Sequence, residues 1–288
     1  MKIQVVGASG HLGRKVMLAL LEQGAGPGDL IAGVRTPEKA ANLERRGVIV
    51  RRADYDDPAS LTAAFQDTDV LLLIPTLAPV EPRILQHGRA LAAAGEAGVK
   101  RILFSSFVTA VPHSRFLVSP FMLYAESKLR VSGLDWTILR NGMYLDPIAD
   151  WIPELVEMGH LPYPVRQGRV AYISRDDLAR ATASACLESG HSGKVYELTG
   201  SGALSMPDLA GMLSRVTGKT IRFDGVTEAE YAEVCRKGRE QVPEMMIPVL
   251  TSLYRAVDNH EFAAVTHDVE LLTGAPAEHA ENYLLRMV

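Results

Sequence analysis

Seven residues near the start of the chain, Gly7-Ala8-Ser9-Gly10-His11-Leu12-Gly13, limit what the rest can fold into. An apolar run, Ile3, Val5 and Val6, leads into the first glycine, and Val16, Leu18, Leu20 and Leu21 follow the third at amphipathic spacing. The run reads as a buried strand, the glycines as a tight turn, and the rest as a helix that begins inside the turn. A Cβ here would block the turn or the approach of a phosphate to backbone N–H groups. The start of the helix presents unpaired N–H groups and a partial positive charge, the arrangement that binds a dinucleotide pyrophosphate. Ser9 and His11 add donors, and Leu12 anchors the helix on the sheet. The spacing is G-x-x-G-x-x-G rather than G-x-G-x-x-G. An ordinary glycine-rich turn is the alternative; the strand before and the helix after favour the dinucleotide.

At 288 residues, 47% of them hydrophobic, the chain can bury one large core or a large and a small one. A net charge of −4 gives no electrostatic reason to expect nucleic acid or an anionic membrane as partner. No apolar stretch is long enough to span a bilayer. Met1-Lys2 running straight into a strand does not look like a signal peptide. Cys186 and Cys235 lie far apart, match no metal motif and suggest no structural disulfide. The expectation is a cytoplasmic monomer or homodimer that acts on a small molecule, with no metal.

Residues 30–34 read as a second strand that ends at Arg35. In a doubly wound sheet this end lies beside the adenosine ribose, where an acidic residue would bind both hydroxyls of NAD. A guanidinium fits the 2′-phosphate of NADP instead, with Arg14 and Lys39 as further cations. NADP(H) is the expected cofactor, with NAD(H) as the alternative. Residues 37–46 read as a helix with Thr36 as N-cap. The strand 48–50 leads to Asp54, placed to accept from the adenine amino group, and Tyr55, placed to pack near the ring. Asp57 caps the helix from Pro58. The apolar run 69–74 suits a central strand buried on both faces, and Ile74, Pro75 and Thr76 end it on the cofactor side. A helix over 83–97 and a strand over 101–106 follow. The alternation specifies a parallel α/β sheet. Residues 107–120 read as loop, with a helix opening at Tyr124 and a strand at 136–139. Beyond Tyr144 the regular alternation stops: a strand over 170–173, a helix over 174–186, a strand over 194–198, and helices over 206–217 and 228–237. The organisation expected is a Rossmann-type doubly wound parallel sheet over 1–144. A smaller C-terminal α+β substrate domain covers 145–288, with elements near 170–200 free to return to the main sheet.

Four stretches carry a family resemblance. They are Gly7-Ala-Ser-Gly10-His-Leu-Gly13, Val34-Arg35-Thr-Pro-Glu-Lys39-Ala, Arg52-Ala-Asp54-Tyr55-Asp-Asp57, and Ser132-Gly-Leu-Asp-Trp-Thr-Ile-Leu-Arg140-Asn141-Gly142-Met-Tyr144. Together with Gly193-Lys-Val-Tyr-Glu-Leu-Thr-Gly200 and Leu271-Leu-Thr-Gly274, the chain resembles the NmrA-like branch of the atypical short-chain dehydrogenase/reductases, most of all its type-2 quinone reductases. The resemblance implies NADP in a cleft between two domains and hydride transfer from NADPH to a quinone or similar electron-poor aromatic. Other members sense the NADP redox state without turnover, which makes a regulatory sensor the alternative.

Tyr124-x-x-x-Lys128 has the spacing of the wider superfamily's proton-donating pair, one helical turn apart. In that arrangement the ammonium depresses the phenol pKa and Lys128 also binds the nicotinamide ribose. Ser105 and Ser106 end a strand where the superfamily's serine sits, although Phe107 aligns with it more naturally. Without that serine a sugar-nucleotide epimerase, a third reading, is weakened. Asn141 and Tyr144 follow the strand that should end beside the nicotinamide and can donate to a quinone oxygen. Phe107, Phe116, Phe121, Met143 and Trp151 are candidates to line a flat aromatic pocket.

Overall fold

The computed structural model describes residues 1–238 and 242–288. The chain opens with β1 (Ile3–Val6), α1 (His11–Glu22), β2 (Leu30–Val34), α2 (Ala41–Glu44), β3 (Ile49–Arg52) and α3 (Pro58–Phe65). Next come β4 (Val70–Leu73), α4 (Val80–Glu96), β5 (Arg101–Phe107), α5 (Ser119–Arg130) and β6 (Asp135–Asn141). Then follow α6 (Asp146–Met158), β7 (His160–Leu161), β8 (Arg169–Val170), α7 (Arg175–Leu187) and β9 (Lys194–Leu198). The last part holds β10 (Leu204–Ser205), α8 (Met206–Thr217), β11 (Arg222–Phe223), α9 (Glu228–Lys237), α10 (Ile247–Asp258), α11 (Asp268–Thr273) and α12 (Ala280–Leu285).

The main sheet is parallel throughout, in the order β3-β2-β1-β4-β5-β6-β9. The chain therefore starts in mid-sheet, fills one side, and crosses to β4 on the other. This is the Rossmann-like, doubly wound α/β class that the alternation predicts. The two halves part at the carboxyl ends of β1 and β4, the crevice where open α/β sheets bind ligands. β9 extends the same sheet, from Thr137 opposite Lys194 to Asn141 opposite Leu198. Residues of the last third thus return to the first body.

Side-chain alternation divides the sheet between two cores. Leu71 and Leu73 of β4 pack with Phe104, Leu61, Phe65 and Ala90 on one face. Leu72 joins Val5, Val16, Leu20 and Leu178 on the other. On that second face α7 lies against α1, and its buried Ala179, Ala181 and Ala183 keep the approach close. Among the described residues no helix is long and apolar enough to cross a membrane, and Cys186 and Cys235 are both free and buried.

Several local expectations shift. Residues 37–46 divide into a 3-10 turn over Pro37–Ala40 and the short α2, and Thr36 makes no side-chain cap bond. Val48 donates its N–H to Leu43, so β3 begins one residue later than the sequence suggested. α5 begins at Ser119 rather than Tyr124, because Pro120 sits in the first turn, where a missing N–H is harmless. Of 170–173 only Val170 is in β8. Ala171 donates to Phe262 and Ile173 to Met143, so the extended segment is tied to two other stretches of the chain. Asp57 does cap α3, accepting from the Ser60 N–H at 3.2 Å.

Two glycine substitutions should separate close approach from chain entropy. An ideal Cβ on Gly13 would lie 2.2 Å from the Gly7 carbonyl oxygen, whereas one on Gly88, exposed in α4, meets nothing within 4 Å. In urea unfolding, Gly13→Ala should destabilise by about 1–3 kcal/mol or more. Gly88→Ala should stabilise by about 0.5–1 kcal/mol. Matching shifts of the two midpoints would contradict the packing described.

Candidate functional site

The turn after β1 is held by its own backbone. Gly7, at φ +87°, occupies the left-handed region. Its N–H donates to the Gly33 carbonyl at 2.9 Å, and the Gly10 N–H donates back to Gly7 at 2.9 Å. Gly10 caps α1 without a side chain, and the first turn holds no acidic residue. Among the described residues the N–H groups of Ser9, His11, Leu12 and Gly13 meet no acceptor. Four free donors at the positive end of a 12-residue helix form a cradle for an anion. Ser9 and His11 are exposed above it, while the Leu12 side chain is buried below.

Arg35 follows the last residue of β2 and is exposed, as are Arg14 and Lys39. None of the three is paired with a carboxylate among the described residues. Asp54 pairs with Arg52 at 3.5 Å and accepts the Asp56 N–H. The Tyr55 hydroxyl donates to the Ile74 carbonyl at 2.9 Å, bolting the loop after β3 to the end of β4. Burial pushes this phenol well above its ordinary pKa. Thr76 donates to Gln86 at 2.6 Å, which fixes the rim formed by Ile74, Pro75 and Thr76.

The ends of β5 and β6 show how alternation sorts neighbours. Ser105 and Asn141 face one side of the sheet, Ser106 and Arg140 the other. On the first side, the Asn141 amide nitrogen donates to Ser105 Oγ at 3.0 Å and to the Tyr144 hydroxyl oxygen at 3.3 Å. Among the described residues Asn141 Oδ1 is buried with no hydrogen-bond partner. Ser105 and Tyr144 only accept here, so each keeps a proton to donate. Burial raises the Tyr144 pKa, and Asn141 and Arg175 only partly offset this, so the phenol stays protonated at neutral pH. Its ring is fixed by the Arg175 guanidinium at 4.9 Å and by Phe107 at 5.6 Å.

On the other side lies a residue that the sequence reading missed. Glu126 is fully buried and accepts from Ser106 Oγ at 2.7 Å, from Arg140 at 2.8 and 2.9 Å and from Arg130 at 3.0 Å. The ion pair raises the Arg140 pKa further. The available signal was an acidic residue on the apolar face of α5, among Met122, Ala125 and Leu129. Tyr124 and Lys128 stand two positions either side of Glu126, about 200° around the helix, and so point away from the sheet. Lys128 is exposed, and its ammonium lies over the Tyr124 ring at 5.7 Å. Neither residue bonds to the Ser105–Asn141–Tyr144 group. The Ser106 hydroxyl is committed to Glu126.

Beside Tyr144 opens a cavity of about 470 Å³, walled by Phe107, Phe116, Met143, Trp151 and a cluster of tyrosines from beyond α6. That volume suits a drug-sized ligand. Phe121 does not reach it: the ring is in the core, packed on Phe104 and His87. The tyrosines had no pattern to reveal them, because Tyr163 comes from the loop after β7, Tyr231 from α9 and Tyr254 from α10.

The sheet and its crevice place the chain among Rossmann-like α/β proteins. More particularly, it belongs to the NmrA-like family, whose model matches residues 1–278. It is 36% identical over 230 residues to quinone oxidoreductase 2 of Escherichia coli K12, covering 80% of this chain and 79% of that protein. It is 29% identical over 275 residues to an NAD(P)H azoreductase of Xenophilus azovorans, covering 96% and 94%. The crystal structure of Citrobacter sp. triphenylmethane reductase complexed with NADP(H) superposes with a TM-score of 0.93 at 30% identity, over the whole of both chains.

Removing the carboxylate from the Glu126 cluster strands two guanidinium groups. Glu126→Ala should lower unfolding free energy by roughly 3–5 kcal/mol in urea titration. A loss below about 1 kcal/mol would mean that the cluster does not hold β5, β6 and α5 together.

Proposed function

We propose that the chain is an NADPH-dependent reductase that passes a hydride to a quinone or a similar electron-poor aromatic acceptor. The observation that carries this reading is the aromatic cavity at the carboxyl ends of β5 and β6, with the protonated Tyr144 hydroxyl on its wall. The named activities of the E. coli, Xenophilus and Citrobacter relatives support it.

The residues present fit a dinucleotide. The free N–H groups of Ser9, His11, Leu12 and Gly13 suit the diphosphate, with Gly7, Gly10 and Gly13 keeping the cradle clear. Arg35, helped by Arg14 and Lys39, suits a 2′-phosphate, which favours NADPH over NADH. Asp54 and Tyr55 border the adenine end, and Ile74, Pro75 and Thr76 the middle of the crevice. Ser105 and the orphaned Asn141 Oδ1 suit the amide-bearing end. Bound NADPH supplies a hydride. A quinone accepts one readily, so the protein has mainly to hold the acceptor in place and stabilise a developing oxyanion. Asn141 positions the Tyr144 hydroxyl for that task. Tyr124 and Lys128 take no part in this account, since their helix turns them from the cluster. A sensor of bound dinucleotide would have no use for a preformed cavity beside Tyr144, which favours turnover.

With menadione as acceptor, NADPH consumption followed by absorbance should be readily measured. Tyr144→Phe should lower kcat/KM about a hundredfold while leaving the NADPH Kd unchanged. Arg35→Asp should weaken NADPH binding by about 1–3 kcal/mol and spare NADH. No oxidation across a panel of simple quinones would overturn the reductase reading. Equal losses for NADPH and NADH would overturn the assignment of Arg35.

A further inference from the structure

Arg83, in the first turn of α4, is a buried cation without a counter-charge. The residue is 6% exposed. Among the described residues its guanidinium donates to no acceptor and pairs with no carboxylate, and Nε is shut off from solvent without a partner. The flat face of the group lies over the Phe121 ring at 5.7 Å, which leaves its N–H edges free. Burial lowers its pKa to about 10, so the charge persists at neutral pH. Arginine does not escape such a site by losing its proton. A buried charge left unpaired is costly, and an anion would relieve that cost.

The guanidinium borders a cavity of about 10 Å³ between α4, α5 and the sheet. Leu73, Phe104 and Phe121 give it apolar walls. His87 lines it too but is neutral: burial lowers its pKa to about 4, and Nε2 donates to the Ala125 carbonyl at 3.1 Å. Gln86 spends its amide N–H groups on Asp56 at 3.1 Å, and that carboxylate pairs with Arg89 at 3.2 Å. Asp56 itself does not line the cavity. The volume admits one water-sized body. A water would accept a hydrogen bond but leave the charge unbalanced. A whole phosphate, sulfate or organic acid is too large. The guanidinium is weakly hydrated, which suits it to a close pair with a small, weakly hydrated anion.

We propose that Arg83 holds a single monoatomic anion, of the size and charge of chloride, in the cavity between α4 and α5. Pro75 and Thr76 of the crevice rim line the same cavity, and Thr76 is bonded to Gln86. A bound halide therefore braces the rim at the end of β4. Among the described residues this site shares no lining residue with the cavity beside Tyr144, and it needs no turnover.

Urea unfolding of the full chain tests the site, with sodium chloride replaced stepwise by sodium gluconate at constant ionic strength. Gluconate is too bulky to enter. Once the site is filling, each tenfold rise in chloride should lower the wild-type unfolding constant about tenfold. Arg83→Met should show no such dependence. A second measurement needs no variant: crystals grown with sodium bromide should give an anomalous-scattering peak within hydrogen-bond reach of the Arg83 guanidinium. Wild-type stability no more responsive to chloride than that of Arg83→Met would overturn the proposal, as would bromide peaks everywhere but there. A peak at Arg83 without any chloride dependence in solution would mean binding at crystal concentration only, and would overturn it too. If NADPH abolishes the chloride dependence and Arg83→Met weakens NADPH binding, a cofactor phosphate meets the charge and the halide assignment falls.

Discussion

The contact between Gly13 of α1 and the Gly7 carbonyl governs the rest of the molecule's working edge. With no Cβ in the way, the helix start is pressed onto the end of β1. The turn closes on itself through Gly7, Gly10 and Gly33. The first helical N–H groups are then left facing the crevice instead of being capped. A serine or aspartate cap would satisfy one or two of them and remove the anion site. Local stability is given up for a fixed array of donors. The array lies at the point where the strand order reverses and a ligand can reach both halves of the sheet.

A second constraint sits two strands away. Glu126 and Arg140 form a buried ion pair, and such pairs seldom add net stability once desolvation is counted. Their effect here is on position. Arg140 and Ser106 are drawn to α5, so the pleat sends their neighbours Asn141 and Ser105 to the opposite face. There the Asn141 amide orients Tyr144 with its proton free. The geometry of the polar group at the cavity is therefore set from the far side of the sheet.

Most of the sheet was legible in the sequence because its signals are local. The glycine turn, the unbroken apolar run of β4 and the Asp57 cap each follow from a few adjacent residues. Helix starts were less legible where proline can either end a loop or open a helix, as at Pro120. The Tyr124–Lys128 pair illustrates the limit of spacing. An i, i+4 pattern guarantees a shared face but does not say which face, and that was decided by Glu126, whose sheet partners Arg140 and Ser106 lie 14 and 20 residues away. The tyrosine wall was out of reach for the same reason: Tyr163, Tyr231 and Tyr254 meet only through tertiary packing.

The cradle is built of backbone amides, and amides can be observed one by one. In an ¹⁵N-labelled sample titrated with NADPH, the N–H resonances of Ser9, His11, Leu12 and Gly13 should move most. Their hydrogen exchange should slow strongly once the diphosphate accepts from them. Amides of α8 and α12, in the last third of the chain, should be unaffected. Tight binding of NADPH that left those four amides unshifted and exchanging at their original rates would contradict the account.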